Sequence, residues 1–116
     1  MNNPINPKTL LHRLAELEPD FCTEDPGVGC HWLQMEPGAK LAVNTLLQNH
    51  QDRANLTYGL LWAIDQKAKE CLNLRNSQVF GGWTVEINTL AGSFQDSNPR
   101  ICLALLQAYV KMLEAP

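Results

Sequence analysis

Leu10, Leu11, Leu14 and Leu17 recur at three- and four-residue spacing, the period that gathers side chains on one side of a helix. Asn6-Pro7 supplies its start, because an Asn side chain caps a free amide and proline fits the first helical position. Pro19 ends it. Residues 19–29 hold Pro19, Pro26, Gly27 and Gly29 among acidic side chains, which predicts a loop. Cys30-His31-Trp32-Leu33-Gln34-Met35 reads as a short strand without strict alternation. Beyond the Glu36-Pro37-Gly38 break, Leu41, Ala42, Leu46 and Leu47 predict a helix from about Ala39 to Asn49.

The polar interval 50–55 separates that helix from a stronger one, in which Leu56, Leu60, Leu61, Ile64, Ala68, Cys71 and Leu72 share a face. Asp65 and Lys69 are spaced to pair on its opposite side. Trp83, Val85 and Ile87 then alternate with Thr84, Glu86 and Asn88, the best strand of the chain, with one buried and one wet face. A turn over Thr89 to Gly92 returns it through Ser93-Phe94-Gln95; a second hairpin at Gly81-Gly82 would pair Gln78-Val79-Phe80 with Trp83 onward. Asn98-Pro99 repeats the cap-then-proline start, and Cys102, Leu105, Leu106, Tyr109, Met112 and Leu113 form the last apolar stripe. The expected fold is α+β: a two- to three-stranded antiparallel sheet packed with about four helices on both its faces.

Composition supports one domain over residues 1–116, with 45% hydrophobic and 18% charged residues. The longest uncharged apolar run, Leu56 to Ile64, is far short of the roughly 20 residues that span a bilayer. The N-terminal residues lack the basic and apolar regions of a secretory signal, so a cytoplasmic location without membrane partners is expected. A net charge of −3 argues against a surface built to neutralise phosphates, making nucleic acid an improbable partner. Charge is nonetheless uneven. Residues 1–36 carry six acidic and two basic side chains, net −4, against +1 for the remainder.

The second half resembles a known group. Leu61-Trp62-Ala63-Ile64, the strand Gly81-Gly82-Trp83-Thr84-Val85-Glu86-Ile87, a short strand, and Pro99-Arg100-Ile101-Cys102 leading into an Ala/Leu-rich helix are similar to small phage and prophage proteins of the α-β-α sandwich type. The resemblance covers roughly residues 57–113 and rests on structural motifs. It implies a mobile element expressed in a bacterial cytoplasm, and it offers no catalytic residues to carry over.

Candidate chemistry is sparse. Cys22, Cys30 and His31 lie within ten residues, and with His12 or His50 they would supply four zinc donors. Adjacent Cys30 and His31 point to opposite sides of an extended segment, which disfavours that set, and buried free thiols are the plainer reading of Cys71 and Cys102. A cysteine nucleophile would need a base within reach, and no known nucleophile turn surrounds Cys22 or Cys30. A small metal-dependent or cysteine-based enzyme using Cys22, Cys30 and His31 is therefore the alternative reading, while the leading one needs no cofactor. That leading reading is a non-enzymatic interaction module that binds a protein, such as a host factor, or forms a homodimer. Its expected contact residues are Trp32, beside the acidic loop, and Glu16, Glu18, Glu24 and Asp25, which would steer a basic partner. The Ala39–Asn49 helix and the final helix are expected to carry the surplus apolar face. An acidic mimic of nucleic acid is a third reading, though six acids in 36 residues are thin for phosphate spacing.

Overall fold

The computed structural model describes residues 6–25, 27, 29–68, 71–77 and 82–115. Helix α1 (Pro7–Leu17) begins as its sequence predicts, with the Asn6 side chain accepting from the Lys8 amide at 2.9 Å. Its Leu11 and Leu14 are buried. Three strands follow, β1 (Cys22–Asp25), β2 (Cys30–Gln34) and β3 (Lys40–Asn44), in an antiparallel sheet of that order. Helix α2 (His50–Ala68) leads to a second antiparallel meander, β4 (Cys71–Ser77), β5 (Gly82–Thr89) and β6 (Gly92–Asn98), and α3 (Ile101–Glu114) ends the chain. The α+β class is as expected, but the described residues form two three-stranded sheets and three helices.

Three differences from the sequence reading have a common cause, competition between periods in short segments. The predicted Ala39–Asn49 helix is instead β3, because Leu41 and Val43 pair with Leu33 and His31 on the core side of β2 while Lys40 and Asn44 are exposed. The predicted 19–29 loop contains β1, whose Cys22 pairs opposite Leu33. The second predicted helix starts earlier and ends sooner. Asn49 accepts from the Asp52 amide at 2.8 Å, so the polar interval is the capped first turns of α2. Cys71 and Leu72 belong to β4, where the alternation Leu72-Asn73-Leu74-Arg75 replaces the helical period. The Gln78-Val79-Phe80 pairing and the Asp65–Lys69 pair lie outside the described residues.

The second sheet has one apolar and one polar face. Leu72, Val85, Ile87 and Phe94 share the inner face with Trp83, and α3 packs across β5 and β6 on that side. Lys111 of α3 meets Asp96 at 3.2 Å, and Gln107 accepts from the Asn98 side chain at 2.8 Å. Outward point Asn73, Thr84, Glu86, Ser93 and Ser97, which hydrogen-bond to one another. A wet face of this kind replaces the second helical layer expected there. At the β5–β6 turn Gly92 adopts φ +143°, which side chains other than hydrogen tolerate poorly.

Helix α3 is the hub. Cys102 to Val110 are all buried, nine consecutive residues, and α1, α2, β5 and β6 surround them. A helix apolar all round is stable only inside other layers. Helix α2 crosses the first sheet closely at Gly59, where an added Cβ would lie 2.5 Å from Leu33 Cδ1. One core cluster, from Leu11 through Leu33, Leu60 and Val85 to Tyr109, joins both sheets and all three helices. No described helix is long and apolar enough to cross a membrane.

Candidate functional site

The residues singled out for chemistry are separated by the pleat. Cys22 and His31 point to the core side of the first sheet; Cys30, one residue from His31, points to the other. The Cys22 thiol is fully buried beneath α1, 4.0 Å from the Leu11 carbonyl oxygen. Burial, with a smaller contribution from Glu24, pushes it up to about 12, which leaves it neither a nucleophile nor a ready metal ligand. Burial likewise raises the Cys102 thiol, against weaker opposing effects from backbone amides, Arg100 and Arg53. Among the described residues no three His, Cys, Asp or Glu side chains converge on a common ion position. Native protein treated with a maleimide should therefore be labelled at Cys30 while Cys22 and Cys102 stay protected until urea unfolds the chain; peptide mass mapping of the adducts reads this directly.

The acidic residues divide into separate groups. Glu16 and Glu24 both approach His12, at 3.8 and 3.3 Å, on the surface where α1 meets β1. Asp25 accepts from the Gly27 amide at 3.2 Å and shapes the β1–β2 turn. Trp32 lies half-buried on the outer face of β2, with the Lys40 ammonium 4.6 Å from its ring centroid. Glu18 goes elsewhere. It sits at the end of α1 and turns into a cleft of about 520 Å³ lined by Phe21, Met35, Trp62, Lys67 and Tyr109.

This cleft combines aromatic and polar walls with a fixed carboxylate. The Phe21 and Trp62 rings stack at 6.1 Å with 15° between their planes, and Tyr109 meets Phe21 edge-on at 6.4 Å. Tyr109 is fully buried and donates its hydroxyl hydrogen bond to Glu18 Oε1, a contact spanning 91 residues of sequence. Burial, then the bond to Glu18 and its charge, raise the phenol, so it remains a donor at any physiological pH. The other oxygen, Oε2, pairs with Lys67 Nζ at 2.7 Å; the lysine side chain is 45% exposed and the glutamate only 14%. Sequence reasoning placed Glu18 among contact residues but had no signal joining it to Tyr109 or Lys67.

A second surface lies on α2. Leu56, Leu60, Ala63 and Ile64 are buried in the core, yet Ala54, Tyr58 and Leu61, spaced to form a stripe on another side, are exposed or half-exposed, with Tyr58 at 60%. Solvent-facing helix positions ordinarily carry charge. Exposed large apolar side chains among the described residues are Leu46, just after β3, Tyr58 on α2, and Leu74 and Leu90 of the second meander, whereas α3, which the core encloses, presents none. Comparison with family models, with curated proteins and with solved structures finds no match to this chain.

Proposed function

We propose that the protein is a non-enzymatic interaction module whose task is to hold another protein. The observation that supports this reading is the outward stripe of α2. Burying exposed apolar area yields roughly 25 cal/mol per Å², so a partner covering Tyr58 with Ala54 and Leu61 gains several kcal/mol before association entropy is counted. The partner is a host factor in the setting that the sequence resemblance implies, and a second copy of this chain would use the same stripe. Glu16 and Glu24, flanking His12 on the surface of α1 and β1, would add long-range attraction for a basic partner.

Light scattering over a concentration series tests the stripe. If the chain pairs with itself, mass should rise toward twice 13.0 kDa, and Tyr58→Lys should return it to a monomer with an unchanged melting temperature. If it is a monomer at all concentrations, a photo-crosslinker placed at position 58 in the expressing cell should capture one dominant protein. A monomer without any such adduct would refute the reading.

A further inference from the structure

We infer that the Glu18 cleft is a recognition site for an organic cation, a protonated amine or guanidinium carried on an apolar stem. The inference is independent of the α2 stripe, because it uses a different surface and a different chemistry.

A cation-binding site needs an anion that is already oriented, partly shielded from water and not permanently neutralised. Glu18 meets each condition. The Tyr109 hydroxyl fixes one oxygen from within the core, so the carboxylate loses little freedom when a ligand arrives. Its present counter-ion is Lys67, in the last turn of α2, whose side chain is 45% exposed. An incoming cation would take the place of the Lys67 ammonium on the carboxylate, and Lys67, half-exposed at the end of α2, would turn out into solvent. The rim adds Asp20, an exposed carboxylate, giving two acids to one base around the opening.

The walls select the stem. Trp62, backed by the buried Phe21 ring, and Met35 offer an indole and a thioether between the polar Gln34 and Gln66, surfaces suited to an aromatic or aliphatic group and to a cation above a ring face. The volume of about 520 Å³ falls within the range of small-ligand sites and accommodates one anchored side chain with its neighbour. Two sources carry this chemistry, a free amphiphilic amine and a Lys or Arg side chain of a peptide flanked by an apolar residue.

The experiment titrates ¹⁵N-labelled protein with tryptamine, with its uncharged counterpart tryptophol, and with the capped dipeptide amides acetyl-Trp-Lys and acetyl-Trp-Gln. Tryptamine or the Lys dipeptide should shift the amides of Glu18, Asp20 and Phe21 and the Trp62 indole saturably, with the neutral counterpart about tenfold weaker or worse. Saturation by tryptamine with no preference for the Lys dipeptide assigns a free amine; the reverse assigns a peptide. Glu18→Gln, which keeps an acceptor for Tyr109, should weaken the charged probe about tenfold. Lys67→Gln, a surface change, should tighten it several-fold by removing the competitor. Equal binding of charged and neutral probes, no shift in the cleft, or weaker binding by Lys67→Gln would each overturn the inference. Glu18→Gln misfolding would leave the Lys67→Gln arm to decide.

Discussion

Truncation of Leu105 to alanine is expected to cost about 2–5 kcal/mol of folding stability, a large share of the 5–15 kcal/mol that holds a domain of this size together. Leu105 is fully buried midway along α3, the helix on which the other two helices and the second sheet converge. Removing three carbons there forfeits transfer free energy and opens a cavity that four packed elements cannot easily close. Leu90 makes the contrast. It is also a leucine, fully exposed at the β5–β6 turn, and its alanine variant should differ from wild type by less than about 0.5 kcal/mol. Urea unfolding followed by circular dichroism measures both. A loss below about 1 kcal/mol for Leu105→Ala would contradict the position of α3 at the centre.

Acidification is expected to destabilise the protein through His31, with a slope of up to about 1.4 kcal/mol per pH unit below the ordinary histidine value near 6.5. The imidazole is fully buried on the core side of β2, paired across the sheet with Val43 of β3, with Nδ1 3.1 Å from Thr45 Oγ1. Its Nε2 has no hydrogen-bond partner, the one such buried side-chain atom among the described residues. Burial lowers the imidazole, Glu24 across the strand pair opposes this, and His12 on α1 adds to it. Protonation would turn both nitrogens into donors and leave Nε2–H unsatisfied in the core.

The sign follows from which state takes the proton. Above 6.5 His31 is neutral whether folded or unfolded and contributes no pH dependence. As pH falls through 6.5 the unfolded chain binds a proton that the folded chain refuses, so stability declines until the lowered folded value is reached. Carboxylates titrate further down and add their own slope, so the comparison is with His31→Asn, whose amide retains a partner for Thr45 without titrating. Between about pH 6 and about pH 5 the wild type should lose stability more steeply than the variant, by up to about 1.4 kcal/mol per unit. Parallel curves would show that His31 carries no such linkage.

Local signals were legible wherever one segment satisfies its own pattern. Asn6-Pro7 with the leucine stripe of α1, the alternation of β5, the turn before Gly92 and the apolar content of α3 are properties of consecutive residues, and the structure contains each. The break at Glu36-Pro37-Gly38 was visible too, with Gly38 at φ +83°, but the helical spacing after it concealed β3 and so the hairpin. Candidate chemistry was partly legible: opposed pointing of Cys30 and His31 follows from the pleat alone.

What only the tertiary structure decided are the choices that depend on distant neighbours. Leu41 and Val43 become strand residues because β2 offers hydrogen bonds and a shared buried face, an energy that five residues cannot express by themselves. Which amphipathic helix keeps a bare apolar side is equally a matter of who covers whom: α3 is enclosed and α2 is not. The joining of Glu18 to Tyr109 across 91 residues arises from the packing of α1 against α3. Backbone period is a short-range property, whereas burial and electrostatic pairing are set by the whole chain's collapse, and that is why the sequence determined most of the elements but not the surfaces they present.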